Sequence, residues 1–155
     1  MSLRVAGGLE EDGITIGNAY DKYGSSNLIV KRLMSGFENA LNNLVQKSGP
    51  TSIHEVGCGE GYWVMKWLHQ GLDARGCDFS KKVIELAKAN AVASGLNDTA
   101  FSCRSIYDLE PSRDSADLIV CCEVLEHLED PRSALKSLQL ITSNHIIISV
   151  PSEPL

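Results

Sequence analysis

Ile53-His54-Glu55-Val56-Gly57-Cys58-Gly59-Glu60-Gly61 reads as a short strand that closes on an acidic residue, three glycines at alternate positions, and the start of a helix. Glycine has no Cβ, so it reaches backbone angles that other residues avoid and lets a ligand lie against the main chain. A tight strand-to-helix turn of this kind holds nucleotide-like ligands in doubly wound α/β folds. The dinucleotide fingerprint asks for G-x-G-x-x-G. Gly57 and Gly59 fill its first two places, but Tyr62 stands at the third, where a bulky side chain opposes close packing of helix on strand. A pyrophosphate-binding turn, and with it a nicotinamide-dependent reductase, fits the stretch poorly.

Outward from this turn, strand-like and helix-like segments alternate. Ser52–Val56, Asp73–Asp78, Thr99–Cys103, Asp117–Cys122 and His145–Val150 read as strands. Between them, residues 61–70 offer Trp63, Val64 and Trp67 to one buried face, and Lys81–Ser94 carries Val83, Ile84, Ala87 and Ala91 at helical steps before Gly95. Pro131–Leu140 is a further helix with proline in its first turn. Before the glycine turn, residues 26–47 place Leu28, Leu33, Phe37, Ala40, Leu41, Leu44 and Val45 on one helical face, with Ser26 or Asn27 as cap and Ser48-Gly49-Pro50 as stop. Residues 1–25 are polar and glycine-rich and read as a flexible arm or a cover; 26–155 form one domain. Ser105–Ser115 is the longest irregular connection after that arm. The pattern predicts a mostly parallel sheet with helices on both faces.

Composition sets outer bounds. With 155 residues, 43% hydrophobic and 22% charged, the chain suits a single globular domain, and no apolar run approaches a membrane span. The net charge of −6 argues against a dedicated nucleic-acid binder. The adjacent basic pairs Lys31-Arg32 and Lys81-Lys82 both fall on predicted helices and read as solvated faces. Of the five cysteines, none forms a C-x-x-C pair. They read mainly as small buried hydrophobes of a reducing compartment, the cytoplasm, and no metal spacing is evident.

Several residues at the strand ends carry chemistry. Asp78 closes the second strand 21 residues beyond Gly57, close to the offset of about 20 at which a carboxylate takes the hydroxyls of a cofactor ribose; otherwise it caps the helix that follows. Phe79 offers an aromatic face to an adenine ring, or packs in the core. Ser105-Ile106-Tyr107-Asp108 follows the third strand, where main-chain groups and the Ser105 hydroxyl can meet an adenine edge; the alternative is a turn capped by Asp108. After the fourth strand comes Glu123-Val124-Leu125-Glu126-His127-Leu128-Glu129-Asp130. Glu123 is placed to meet the positive end of a cofactor, and Glu126 and His127 to orient the loop or reach a substrate. The acidic residues also suit the positive end of the next helix, which leaves His127 unexplained.

Taken together, Glu55-Val56-Gly57-Cys58-Gly59-Glu60-Gly61, Gly76-Cys77-Asp78-Phe79-Ser80 and Cys121-Cys122-Glu123-Val124-Leu125-Glu126-His127-Leu128 resemble the class I S-adenosylmethionine-dependent methyltransferases, the last piece most like the small-molecule enzymes of the ubiquinone-biosynthesis type. The resemblance runs from about Ser52 to Val150 and implies a Rossmann-like sheet. It implies that Glu55, Gly57, Cys58, Gly59 and Gly61 carry the methionine and ribose part of S-adenosylmethionine. Asp78 then holds the ribose, Cys122 and Glu123 flank the methionine end, and Tyr20 and Tyr23 belong to a segment that closes over the cofactor. In two places the chain departs from the family pattern. Arg104-Ser105 replaces the Gly-Asp that many relatives use to hold the adenine amino group, and the two strands that usually follow the fifth are missing. The last strand is therefore expected to be an apolar edge, covered by further chain or by self-association. The activity implied is methyl transfer to a small-molecule acceptor, with S-adenosylhomocysteine released and His127 as the candidate base. The alternative is a module that binds the cofactor without chemistry.

Overall fold

Strand and helix alternate through the chain as the pattern predicts. The computed structural model describes residues 3–11, 13–16 and 27–151. A small ribbon of β1 (Glu10–Glu11) and β2 (Ile14–Thr15) precedes the long helix α1 (Leu28–Ser48). Then follow β3 (Ile53–Val56), α2 (Tyr62–His69), β4 (Ala74–Asp78), α3 (Lys81–Ala93), β5 (Phe101–Cys103), α4 (Pro111–Asp114), β6 (Ala116–Cys122), α5 (Pro131–Ile141) and β7 (Thr142–Ser149). β3 to β7 form one five-stranded sheet in the order β5-β4-β3-β6-β7, with every pairing parallel. The order reverses at β3 and β6, so the crevice at their carboxyl ends is where such a sheet takes its ligand.

The central strands are apolar on both sides because both sides are covered. On β6, Leu118 and Val120 are buried with Leu41 and Val45 of α1, Trp63, Val64 and Trp67 of α2, and Ile84 and Ala87 of α3. Ile119 and Cys121 face the other way, into Ala134, Leu138 and Ile141 of α5. The sequence and structure differ in several places. The stretch expected to be irregular, Ser105–Ser115, holds a 3-10 turn at Ile106–Asp108 and the short helix α4, both too brief to show a period. The third strand starts at Phe101, because Asp98–Ala100 forms a 3-10 turn capped by Asn97. Helix α1 is capped by Asn27, whose Oδ1 accepts the Ile29 N–H at 2.9 Å. Its expected buried face is cut short: Leu41 and Val45 are in the core, whereas Leu28, Leu33 and Leu44 are exposed, because apolar residues ring more of this helix than the sheet can cover. Cys58, Cys77 and Cys121 are buried, but Cys103 is exposed.

The arm is docked where it is described. Leu3 joins the main core, and Ala6 and Ile16 pack on Val83 of α3. The Ala6 N–H donates to Glu60 Oε1 at 2.9 Å, and Arg4 exchanges two 3.0 Å hydrogen bonds with the Asn90 amide. At the other end, β7 pairs with β6 and leaves its second edge without a partner among the described residues; Ile146, Ile148 and Val150 are exposed there. No helix among those residues is long and apolar enough to cross a membrane.

A buried polar group braces the α4 face of the sheet. His54 of β3 donates from Nδ1 to the Asp114 carbonyl at 2.7 Å, while its Nε2 is buried without a partner among the described residues. Burial holds the imidazole pKa below its ordinary value, with the Arg75 and Arg104 charges adding to the effect against the Asp114 interactions. The unfolded chain therefore takes up a proton below about pH 6.5 that folded His54 resists. Its contribution to stability is present above that pH and is lost on acidification, by up to about 1.4 kcal/mol per pH unit. Urea unfolding at pH 7.5, 6.5 and 5.5 checks this. The wild-type chain should lose more stability than His54→Gln between pH 6.5 and 5.5, by up to about 1 kcal/mol, and equal losses would disprove the assignment.

Candidate functional site

The glycine turn is shaped by what packs on it. Gly57, Gly59 and Gly61 have φ of 81°, 53° and 88°, a region that costs other L-residues energy. A Cβ on Gly57 would lie 2.3 Å from Cγ2 of Val124, so the turn and the loop after β6 are in direct contact. A Cβ on Gly61 would strike the Phe101 ring at 2.7 Å. Close helix–strand packing thus falls on Gly61, and Tyr62 turns towards α1, packed against Trp63 with its hydroxyl donating to Glu38 at 2.5 Å. Gly76 does the same service for β4: a Cβ there would sit 2.6 Å from the Cys58 Cβ. A glycine inside a strand is the sequence signal for such an approach, although the motif reading assigned Gly76 no role.

Four amides of this turn are spent within the protein. Gly57 and Cys58 donate to the Cys77 carbonyl at 2.8 and 2.9 Å, Gly61 donates to the Cys58 carbonyl at 3.0 Å, and Gly59 donates to Asp78 Oδ2 at 3.2 Å. A phosphate cradle needs main-chain N–H groups aimed at the anion; these four are not available. The charges around them are acidic. Asp78 takes Gly59 on one oxygen and the Ser80 N–H on the other at 3.1 Å, tying the turn to the start of α3. The helix cap itself is Ser80, whose hydroxyl accepts the Val83 N–H at 3.2 Å. Burial raises the Asp78 pKa, opposed by those amide hydrogen bonds. Glu55 is buried on β3, and its Oε2 has no partner among the described residues. Burial first, and then the neighbouring Asp78 charge, push its pKa well above the ordinary range.

Glu123 follows β6 directly with φ 57°, the one residue other than glycine with a positive φ among those described. Strain of this kind collects at functional sites. Its Oε1 accepts the Ser149 hydroxyl at 3.0 Å and its N–H donates to the Ser149 carbonyl at 3.1 Å. Cys122 lies just below, its pKa raised to about 11 mainly by burial, with Glu55 and Glu123 contributing. Cys58 feels Glu55 and Asp78 in the same way. Glu55, Gly57, Cys58, Gly59, Asp78, Cys122 and Glu123 are therefore gathered around the crevice between β3 and β6.

The other expected residues lie around this group. Phe79 is 52% exposed beside Asp78, so its ring is a free face and not core. Ile106 is buried. Ser105 caps the 3-10 turn by accepting the Tyr107 N–H at 3.3 Å, a task the sequence offered to Asp108. The Tyr107 hydroxyl, unremarked in the motif, donates to the Asp130 carbonyl at 3.2 Å and links this loop to the one after β6. Asp130 caps α5 by accepting the Ser133 N–H at 3.0 Å. His127 is 75% exposed on its 3-10 turn, with Nε2 3.8 Å from Glu126 Oε1. Tyr20 and Tyr23 lie outside the described residues.

The model of the methyltransferase domain family matches residues 54–144, a range that runs from the glycine turn past Glu123. The chain belongs to that family. Among curated proteins it is 31% identical over 106 residues to the ubiquinone biosynthesis O-methyltransferase of Aliivibrio fischeri (strain MJ11), covering 68% of this chain and 43% of that protein. It is 28% identical over 114 residues to the protein of the same name from Photorhabdus laumondii, covering 70% and 48%. The chain thus spans less than half the length of these relatives. Among solved structures it resembles the magnesium protoporphyrin IX methyltransferase of Synechocystis PCC 6803 with bound S-adenosylmethionine, at a TM-score of 0.63 and 21% identity over 81% of this chain and 64% of that one. That likeness bears on the fold: a Rossmann-like parallel sheet with helices on both faces.

Proposed function

We propose that this chain carries the cofactor site of an S-adenosylmethionine-dependent methyltransferase acting on a small-molecule acceptor. The observation that carries the proposal is the glycine turn whose amides are used internally and whose surroundings are carboxylates. That combination disfavours a diphosphate and favours a ligand with a positive end. The buried, unpartnered Glu55 Oε2 is the orphan atom such a ligand would suit. S-adenosylmethionine would supply a methyl group on a positively charged sulfur, open to in-line attack.

In this reading, Glu55 and Glu123 face the positive end, whose charge would draw the raised Glu55 pKa back down, and the turn Gly57-Cys58-Gly59 with Gly61 carries it, Gly57 and Gly61 leaving room for Val124 and Phe101 behind it. Asp78 keeps lone pairs for the ribose hydroxyls beyond the two N–H groups it already accepts. Phe79 offers its open face to the adenine ring, Ser105 and Ile106 meet its edge, and Cys122 lines the wall. Tyr20 and Tyr23 close over the cofactor, with residues 1–25 as the arm and 26–155 as the domain. The family relatives are named as O-methyltransferases, so a hydroxyl acceptor comes first among candidates. His127 then takes its proton, a role its exposed position allows. The acidic chain makes nucleic acid a poor acceptor, and buried free thiols suit the cytoplasm.

The test is transfer of labelled methyl from S-adenosylmethionine to a panel of phenols, amines and acidic carbon compounds. Labelled product supports the proposal. Tight cofactor binding with no transfer to any class would favour a binding module. For His127→Ala, general-base catalysis predicts a fall in kcat of about 100-fold or more; unchanged turnover would remove His127 from the mechanism.

A further inference from the structure

We infer that Arg104 is a positioning residue that shapes the main chain reading the adenine edge, an inference that rests on the cofactor proposed above. Arg104 stands where a glycine would leave the loop to itself. Its own N–H donates to the Asp78 carbonyl at 2.8 Å, which fixes the start of the loop beside the ribose carboxylate. Its guanidinium then runs beneath the loop. Nη2 donates to the Asp108 carbonyl at 2.5 Å and to Asp114 Oδ2 at 2.9 Å. Asp114 Oδ2 also accepts the Glu110 N–H at 2.7 Å, and the Asp114 carbonyl takes His54 at 2.7 Å. Arg75 adds a hydrogen bond to the Ser115 carbonyl. Residues 105–114 are thus held at the start by Arg104, in the middle through Asp108, and at the end on β3 and β4.

The ion pair is well shielded, with side chains 15% and 6% exposed. A shielded pair of this kind fixes geometry, because removing one partner strands the other charge. The planar guanidinium serves two acceptors at once, which a lysine ammonium on a flexible stem does less well. Ser105 uses its hydroxyl as the cap for Tyr107. Discrimination of the base falls on the main-chain groups of Ser105 and Ile106, together with the proton and second lone pair the Ser105 hydroxyl keeps, and Arg104 sets the direction of all of them. Adenine presents an amino donor beside a ring acceptor, and hypoxanthine reverses that pair. A loop held in one conformation distinguishes them, and a loosened loop does not.

The experiment titrates the full chain with S-adenosylhomocysteine and with S-inosylhomocysteine, for wild type, Arg104→Lys and Asp114→Asn, with thermal midpoints measured alongside. Wild type is expected to prefer the adenine ligand about three- to tenfold, the effect of one or two neutral hydrogen bonds. Both variants should bring the ratio toward one while keeping their affinity for the inosyl ligand. Asp114→Asn preserves shape and carries the test if Arg104→Lys folds poorly. An unchanged ratio in a folded variant would overturn the inference and leave the cofactor proposal standing. Failure of wild type to bind either ligand would overturn both.

Discussion

Replacing Gly57 by alanine is expected to destabilise the domain by about 2–5 kcal/mol and to abolish saturable cofactor binding. Two costs combine. Alanine at φ 81° loses about 1–2 kcal/mol to left-handed strain. The new Cβ would lie 2.3 Å from Val124 Cγ2, and forcing a methyl into packed surroundings costs about 1–3 kcal/mol. Val124 adjoins Glu123, whose backbone is already in the left-handed region just after β6. The double variant Gly57→Ala with Val124→Ala separates the costs: it should recover the overpacking part and leave the left-handed part. Urea unfolding of Gly57→Ala, Val124→Ala and the double variant gives the comparison. A Gly57→Ala protein as stable as wild type would show that the turn is not held as described.

Asp78→Asn is expected to weaken cofactor binding by about 10- to 100-fold, the effect of removing a hydrogen bond to a charged acceptor, and to cost about 1–3 kcal/mol of stability, because one of the two N–H groups that Asp78 accepts loses its partner. The asparagine oxygen can accept from Gly59 or Ser80, but its NH2 group then faces the other N–H. The charge that would take the ribose hydroxyls is gone. The pH dependence gives a second readout. Burial raises the Asp78 pKa above its ordinary 3.8. Wild-type affinity should therefore fall as the pH drops through that raised value, as the carboxylate protonates, and recover as it rises. The asparagine variant should lack that component. Isothermal titration at several pH values tests both statements, and parallel pH profiles would assign the ribose contact elsewhere.

The glycine turn, the alternating elements and the acid at the end of β4 were legible because each is local: a spacing, a period, a residue type at a strand end. What escaped the sequence depends on contacts between distant segments. Nothing near Gly57 announces that Val124 fills the place of its Cβ. Tyr62 argues against the dinucleotide turn by its size, yet its actual direction is set by Glu38 on α1. Helix α1 carries apolar residues around much of its surface, so its pattern overstated how much of it the sheet covers. Helix α4 spans four residues, too few to show a period, and its importance lies in Asp114, which meets Arg104 and His54 only in the folded chain.

The most direct test of the account is a calorimetric titration of the purified chain with S-adenosylhomocysteine, with NADH as the comparison. A turn with its amides spent and its rim acidic predicts saturable binding of the sulfur ligand and none of the dinucleotide. Binding of NADH with no binding of S-adenosylhomocysteine would contradict it.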